Sequence, residues 1–423
     1  MNNQLRKTRI PEWYEFMRVA CPICGKTGGC MQHKDGDAVA CIRVESDRPF
    51  SKNSSLPSYL HMLKGEKKRK KINDEELPTY HGEEKKEDSV LNSVFQSMLD
   101  CLELKDSHYA HLTSSTRQLS EEQIHTRKYR SLSSQPWNVV KEIQTILGID
   151  DFSGIPGFYL ADGKYGKYWT INATDGILIP FRNHKNQIVG LQYRIDKPPN
   201  DVKIQERKQG LTAKVIEQPN IVQVSFEGDI LSEQKLELDQ PITIFSKDKE
   251  ILGWIELKRG TRYFWLSSAN KNKGTGSGNP SPVHVSVPLE KLKKWEAGTT
   301  LKAKTVWLGE GPLKGDISCD FVEKLYDPEE IEDIGTTFLS LPGVNPWRLA
   351  LPILKEMEVG QVNICFDADA VNNPYVRQHL MDSAKKMKEE GYRANLIIWN
   401  GKDGIGLDNL FLNLTLPQIK KLF

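Results

Sequence analysis

Short apolar runs alternate with helical segments in the last third of the chain. Four runs have the length and composition of buried parallel strands. They lie at residues 305–310, 336–341, 361–366 and 394–399. Three helices are predicted between them: residues 313–325, a helix capped by Asn345 that begins at Pro346, and residues 375–390, which are followed by Gly391, a favoured type of C-cap residue. The order β-α-β-α-β-α-β predicts a parallel sheet with right-handed crossovers.

The pattern is less regular upstream. Residues 90–104 have an apolar face at helical spacing, and residues 176–194 predict a β-hairpin. Ser120 with Gln123 three positions later predicts a capped helix start. Residues 201–259 alternate as expected for a small antiparallel insert. Residues 52–88 are poor in apolar side chains and rich in charge, which predicts a flexible linker.

Acidic side chains stand where two of the predicted strands end. Glu310 ends the first strand, and Asp367 and Asp369 follow the third. The carboxyl ends of parallel strands meet at one edge of a sheet, where ligands bind. A single acid at a strand end is often only a helix cap. Three acids spaced by two β-α units instead predict a site for a divalent cation, and oxygen ligands favour magnesium or manganese.

Four of the seven cysteines lie close together near the start of the chain. Cys21 and Cys24 form a CxxC pair, and Cys30 and Cys41 follow, a spacing typical of a zinc site. His33 could replace Cys30 as a ligand, but we favour four cysteines, because Cys30 keeps a short loop after the pair. We expect thiols rather than disulfides, since no signal peptide precedes them and 423 residues need no such staples.

Composition supplies the broad frame. A chain of 423 residues has room for two to four domains, and 38% hydrophobic with 27% charged residues is ordinary for a soluble globular protein. No apolar run approaches the roughly eighteen residues of a membrane span, so we expect no membrane contact. The reduced-looking cysteines and the lack of a targeting segment lead us to expect a cytoplasmic protein. The net charge of +2 gives no argument for nucleic acid. The basic run at residues 64–71 could contact phosphates or serve as a solvated tether.

The segment from about residue 304 to 412 resembles the Toprim domain of DNA primases and topoisomerases. The resemblance rests on the Glu-Gly pair at Glu310, on Asp367-x-Asp369, and on acids after the fourth strand. It implies a Rossmann-like parallel sheet. It also implies that Glu310 is the general acid/base and that the two aspartates hold the metal.

Two further positions bear on this site. The last acid is Asp403 or Asp408, and we favour Asp408 as a metal ligand, because the GLDN stretch around it resembles the GIDD stretch of mobile-element primase-like proteins. Lys314 stands where cellular primases tend to have an aspartate, whereas the mobile-element group tends to have lysine. This lysine adds positive charge beside the predicted metal and is a candidate phosphate contact.

The N-terminal cysteines resemble the zinc modules of the same mobile-element proteins, in which a Cys-x-Arg sequence ends a strand. The 176–194 hairpin resembles the subdomain that precedes Toprim in primases, which makes Arg182 and Arg194 candidate phosphate contacts. The predicted domains, in order, are a zinc module, a linker, a helical and then β-rich primase-core-like subdomain with the insert, and a Toprim domain. Their predicted bounds are 1–51, 52–88, 89–300 and 301–423.

This order of parts resembles that of bacterial-type DNA primases, and it implies an enzyme that joins ribonucleotides on single-stranded DNA in the replication of a mobile element or phage. The implied partners are single-stranded DNA, nucleoside triphosphates and a separate replicative helicase, because no P-loop motor motif is visible. Two alternatives stay open: a Toprim nuclease, and a zinc-containing DNA-binding replication protein with an inactive Toprim site. Nucleotide incorporation on a single-stranded template would separate them.

Overall fold

The computed structural model divides the chain into two units. Unit 1 contains Met1–Tyr80 and Asp196–Arg262, and unit 2 contains His81–Ile195 and Tyr263–Phe423. The predicted insert therefore groups with the cysteine-rich segment, which the sequence pattern did not predict. The residues that the structure describes are 5–8, 10–17, 19–51, 57–65, 68–69, 71–72, 82–172, 174–278, 280–368 and 374–423.

These residues fold into short strands and helices, numbered in chain order. The strands are β1 (Leu5–Lys7), β2 (Trp13–Phe16), β3 (Met31–His33), β4 (Ala38–Cys41), β5 (Pro49–Ser51), β6 (Ser58–Met62), β7 (Arg130–Ser131), β8 (Phe158–Gly163), β9 (Gly166–Ile171), β10 (Ile177–Arg182), β11 (Ile188–Arg194), β12 (Asp201–Glu206), β13 (Leu211–Glu217), β14 (Ile221–Phe226), β15 (Asp229–Lys235), β16 (Pro241–Phe245), β17 (Ile251–Lys258), β18 (Tyr263–Trp265), β19 (His284–Ser286), β20 (Thr305–Glu310), β21 (Thr337–Leu341), β22 (Gln361–Cys365), β23 (Arg393–Ile398) and β24 (Gln418–Lys421). The helices are α1 (Asp88–Asp100), α2 (Asp106–Thr113), α3 (Glu121–Arg127), α4 (Pro136–Leu147), α5 (Leu289–Lys294), α6 (Pro312–Leu325), α7 (Pro328–Ile334), α8 (Ala350–Glu356), α9 (Pro374–Glu389) and α10 (Leu407–Leu412). None of these helices has the length and apolar surface that crossing a bilayer requires.

The cysteine-rich part of unit 1 is an antiparallel sheet in the order β1-β2-β3-β4-β6-β5. Strand β6 lies in the segment predicted to be a flexible linker, yet it pairs with both β4 and β5, and the following Leu63 is buried. The sheet therefore continues past residue 51, where the sequence predicted the zinc module to end.

The insert forms two antiparallel three-stranded sheets, β12-β17-β16 and β13-β14-β15, as its alternating pattern predicted. Among the described residues of unit 1, the insert contacts the cysteine-rich part through Ala20 and Arg69. The backbone N–H of Ala20 donates to the carbonyl of Ile204 at 3.3 Å. The largely buried guanidinium of Arg69 donates to Gln32 at 2.6 Å and to Glu206 at 2.8 Å. The second contact is charge-assisted and shielded from water, so it is stronger than an ordinary surface ion pair.

The first part of unit 2 packs helices on the sheet β18-β11-β10-β7. Helices α1 and α4 share a buried apolar core with β10 and β11. The predicted hairpin is the antiparallel pair β10–β11, and the predicted helix at residues 90–104 is α1. Helix α3 begins at the predicted capping box, in which Ser120 and Gln123 each accept the other's backbone N–H. Helices α2 and α4 were not predicted.

The second part of unit 2 contains a six-stranded sheet in the order β19-β21-β20-β22-β23-β24. Strands β21, β20, β22 and β23 run parallel, as predicted, and the edge strands β19 and β24 are antiparallel. The chain passes from β20 to β21 on one side and then crosses to β22 and β23 on the other. The direction of winding changes between β20 and β22, and open α/β sheets bind ligands outside the carboxyl ends of the strands at such a point.

A buried charged network in unit 2 joins α3 to α6. The guanidinium of Arg127 donates to Asp316 and to Asp320, each at 2.8 Å, and all three side chains are at most 5% exposed. Asp316 also accepts from the hydroxyl of Tyr129 at 2.5 Å and lies 3.0 Å from Nε2 of His284. Burial raises the pKa of Asp316, but Arg127 and His284 lower it further, so the carboxyl stays well below its usual range.

We expect Arg127→Met to destabilise the protein by about 3–5 kcal/mol, because it leaves two buried carboxylates without their cation. Urea unfolding followed by tryptophan fluorescence measures this. Lys105→Met is the matched control: it removes an exposed ion pair with Asp175 and should cost about 1 kcal/mol or less. Similar stability of the Arg127 variant and wild type would contradict the network's role.

Candidate functional site

Four cysteine sulfur atoms of unit 1 come together in one group. The Sγ atoms of Cys21, Cys24, Cys30 and Cys41 lie within 4.8 Å of one another, and all four residues are buried. Cys30 Sγ is 3.7 Å from that of Cys24 and 3.7 Å from that of Cys41. Tetrahedral zinc with Zn–S bonds of about 2.3 Å needs sulfur atoms about 3.8 Å apart. The four thiols therefore fit a zinc module.

Donors from the chain after Cys41 surround these sulfurs. The backbone N–H groups of Arg43 and Val44 donate to Cys41 Sγ at 3.4 and 3.3 Å. The Arg43 guanidinium lies 3.4 Å from Cys30 Sγ and is held by the carbonyl of Gly28 at 2.9 Å. Positive charge and N–H donors stabilise thiolates, the form that binds zinc. The Cys-x-Arg motif pointed to Arg43, but only the fold shows its contact with sulfur.

His33, the alternative zinc ligand, is not a member of the sulfur group. Its imidazole lies 3.3 Å from the Asp37 carboxylate and 3.8 Å from that of Asp35. The ring also packs against Trp13, with 5.3 Å between ring centroids. This geometry favours Cys30 over His33 as the ligand.

Two of the predicted acids flank the point in unit 2 where the winding of the parallel sheet changes. Gly309 in β20 is aligned with Cys365 at the end of β22. Glu310 and Asp367 therefore leave adjacent strands at the same edge of the sheet. Asp369, the other acid predicted here, lies outside the described residues.

The ammonium group of Lys314 lies among the strand-end acids. Gly311, with φ +80°, turns the chain from β20 into α6 and so places Lys314 in the first turn of that helix. Its Nζ donates to Asp367 at 2.5 Å, and the side chain lines one pocket together with Glu310 and Asp367. Burial lowers the pKa of Lys314, but Asp367, then Asp408 and Glu310, raise it above its ordinary value. Three predicted acids thus act on one cation.

Asp408 is buried in the first turn of α10, and its two oxygens differ. Oδ2 accepts from Arg117 at 2.8 Å. Oδ1 is also buried and has no hydrogen-bond partner among the described residues. An unpaired buried carboxylate oxygen is costly, so this atom suits a cation. Asp403, the alternative, is exposed in a turn. The geometry therefore favours Asp408 over Asp403 as the last acid of the site. It also adds Arg117 as a contact of that acid, which no sequence pattern indicated.

The oxygen donors at this edge suit magnesium or manganese, but the described residues do not complete a coordination sphere. Within the described ranges, the four cysteines form the one group of three or more acidic, histidine or cysteine side chains whose ligand atoms lie within 4.8 Å of one another. For a divalent metal to bind Asp367 at this edge, Lys314 would have to release that carboxylate.

Arg182 and Arg194, the other predicted phosphate contacts, are both buried in unit 2. The guanidinium of Arg182 donates to Asn186 at 3.2 Å and to the carbonyl of Thr126 at 3.5 Å. Burial lowers its pKa to about 10. Both side chains lie in the interior of the fold, so this geometry gives no support to direct phosphate contact, which stays a prediction.

No protein-family model matches this chain, and no curated protein matches it in sequence. Among solved structures it is similar to the zinc-binding and RNA polymerase domains of the Aquifex aeolicus primase, with 11% identity and a TM-score of 0.40 over 99% of this chain and 81% of that one. It is also similar to the RNA polymerase domain of Mycobacterium tuberculosis primase DnaG, with 11% identity and a TM-score of 0.43 over 77% of this chain and 79% of that one. A DnaG primase catalytic domain bound to ssDNA gives 10% identity and a TM-score of 0.37 over 78% and 80%. A likeness this distant does not assign a function.

We expect one zinc ion per chain. Cys30→Ser should lose it, because three sulfur ligands remain where four are needed. His33→Ala is the matched control and should keep it, because the imidazole lies outside the sulfur group. Elemental analysis of the purified variants decides between them, and metal loss in His33→Ala alone would transfer the ligand role to His33.

Proposed function

We propose that this chain is a primase-like enzyme that joins ribonucleotides on a single-stranded DNA template. The observation that carries the proposal is the action of Glu310, Asp367 and Asp408 on one cation, Lys314, beside the point where the winding of the parallel sheet changes. Nucleotidyl transfer needs concentrated negative charge of this kind, because it must hold the divalent metal that neutralises a triphosphate. The resemblance of this segment to Toprim domains supports the same assignment.

In this proposal the aspartates bind the metal and the glutamate accepts a proton. Asp367, Asp369 and Asp408 would hold magnesium or manganese, which supplies charge neutralisation on the phosphoryl oxygens. Glu310 would accept the proton of the attacking 3′-hydroxyl. Lys314 would leave Asp367 when the metal binds, and its ammonium group would then be placed to contact a phosphate.

The other parts of the chain fit this assignment. The four-cysteine group would hold zinc and orient the template. The resemblance to mobile-element proteins suggests that the primers serve replication of a mobile element or phage. The partners would be single-stranded DNA, nucleoside triphosphates and a separate replicative helicase.

One observation favours a second candidate, a DNA-binding replication protein whose Toprim-like site is inactive. The ion pair between Lys314 and Asp367 already neutralises a carboxylate that the metal requires. If that pair persists in the presence of metal and nucleotide, the protein binds DNA but does not catalyse nucleotide incorporation. Lys314→Met would then bind manganese more tightly than wild type without gaining synthesis.

We expect Asp367→Asn to abolish incorporation of labelled ribonucleotide on single-stranded DNA with magnesium or manganese, because the amide removes one of few metal ligands. Asp403→Asn, at an exposed turn, should keep full activity. Full activity in the Asp367 variant would refute the site. A wild-type chain that incorporates nothing with either metal would favour the second candidate.

We also expect the zinc-free Cys30→Ser variant to lose primer initiation more than primer extension, by about tenfold or more, because only initiation relies on the zinc module to raise the local concentration of template. Both reactions are measured on one template, with and without an annealed primer. His33→Ala is the control. Equal loss of both reactions would mean that the zinc group is purely structural.

A further inference from the structure

A surface of unit 2, formed by other elements than those that carry the strand-end acids, combines exposed aromatic rings with lysines. Tyr165, in the turn between β8 and β9, is 93% exposed. Tyr168 on β9 and Trp137 on α4 are also exposed, at 41% and 39%. We call this surface the Tyr165 patch. Its residues are Trp137, Lys141, Gly163, Lys164, Tyr165, Gly166, Lys167 and Tyr168, which line one open pocket.

The backbone explains why these side chains point outward. Gly163 pairs with Gly166, so Lys164 and Tyr165 are the two turn residues of a tight hairpin. A Cβ atom on Gly163 would come within 2.9 Å of the Tyr168 ring, so the ring lies directly on the glycine backbone. Its outer face is left open to solvent.

Helix α4 supplies the other side of the patch. Trp137 and Lys141 are four residues apart and therefore share one face of the helix. Isolated exposed apolar residues are common, but three exposed aromatic rings lining one concave surface mark an interaction site.

The charge of the patch selects the partner. The pocket lining carries the positive charges of Lys141, Lys164 and Lys167 and no acidic side chain. The acid nearest along the hairpin, Asp162, is aligned with Lys167 across the two strands. The Lys164 ammonium lies 5.3 Å from the centre of the Tyr165 ring.

We propose that the Tyr165 patch binds single-stranded nucleic acid. Unpaired bases stack on the rings of Tyr165, Tyr168 and Trp137, and the lysines contact the phosphates between them. A duplex hides the faces of its bases, and an acidic peptide would pair with the lysines but leave the rings without a stacking partner. This binding site lies on different elements from the strand-end acids and does not require that the chain synthesise a primer.

The test uses the full-length chain and a fluorescently labelled twenty-nucleotide oligo-dT, with affinity measured by anisotropy. Tyr165→Ala should weaken binding roughly tenfold, and the Tyr165→Ala, Tyr168→Ala double variant further, because each stacked base is lost with its ring. Tyr165→Phe keeps the ring and should retain the affinity. Tyr109→Ala, which removes an exposed ring on α2, is the matched control.

The lysines give an independent readout. Lys164→Gln with Lys167→Gln should reduce the slope of log affinity against log salt by about 0.7 per lysine. Lys385→Gln, an exposed lysine on α9, should leave the slope unchanged. Oligo-rU and a blunt duplex are the other probes. Equal effects of the variants on oligo-dT and oligo-rU binding would show that the patch binds single-stranded DNA and RNA alike, and a preference would show which of the two it binds.

Three results would overturn the proposal. The first is an unchanged oligo-dT affinity in the double tyrosine variant. The second is an equal loss of duplex binding, which would make the contact electrostatic without stacking. The third is displacement of oligo-dT by polyglutamate at lower charge concentration than by unlabelled oligo-dT, which would identify an acidic protein as the partner. Circular dichroism checks that each variant is folded, and failure of primer synthesis would not affect any of these outcomes.

Discussion

The buried guanidinium of Arg127 fixes the geometry on which the strand-end site of unit 2 depends. Asp316 and Asp320, its two partners, are one turn apart on α6, so the contact sets the rotation of that helix about its axis. Lys314 precedes Asp316 by two residues and so lies about 200° around the helix from it. When Arg127 holds one face of α6, the opposite face presents Lys314 to the acids at the sheet edge.

This arrangement explains why a costly buried charge is present. Burying a guanidinium and two carboxylates contributes little net stability compared with apolar residues of the same size, but the directional hydrogen bonds define one orientation. Glu310 and Lys314 leave the same β20–α6 turn, so an error in the rotation of α6 would move the cation relative to the acids. The network therefore positions the site without touching it.

Local sequence signals predicted the elements and located the acids. Apolar runs of strand length gave the parallel order, and the capping box at Ser120 gave the start of α3, because these features depend on neighbours in the chain. Long-range pairs left no such signal. Arg117 and Asp408 are 291 residues apart, and Arg127 and Asp316 are 189 apart, so only the tertiary fold brings each pair together.

The arginines of the hairpin show how the charge of a residue and the pattern of its strand can indicate different roles. A basic residue at each end of a hairpin suggested phosphate contact, but every residue of β10 is buried, Arg182 included. The run that contains it, ILIPFR, is apolar without alternation, which is the pattern of a strand covered on both faces. A charged residue in such a strand has to find an internal partner. The apolar pattern of the strand therefore indicates an interior position for Arg182, and its contact with phosphate stays a prediction.

Unit 1 shows how a metal site and a distant segment can depend on each other. Ala20 immediately precedes the first zinc-ligand candidate, Cys21, and its backbone donates to Ile204 in the insert. Arg69 makes a second contact across the same unit, with Glu206. Zinc, once bound by the cysteines, would stabilise the conformation of the chain around Cys21, and the free energy of metal binding would become free energy of folding. Because the insert is held at the adjacent residue, part of that stabilisation would extend to a segment nearly two hundred residues along the chain.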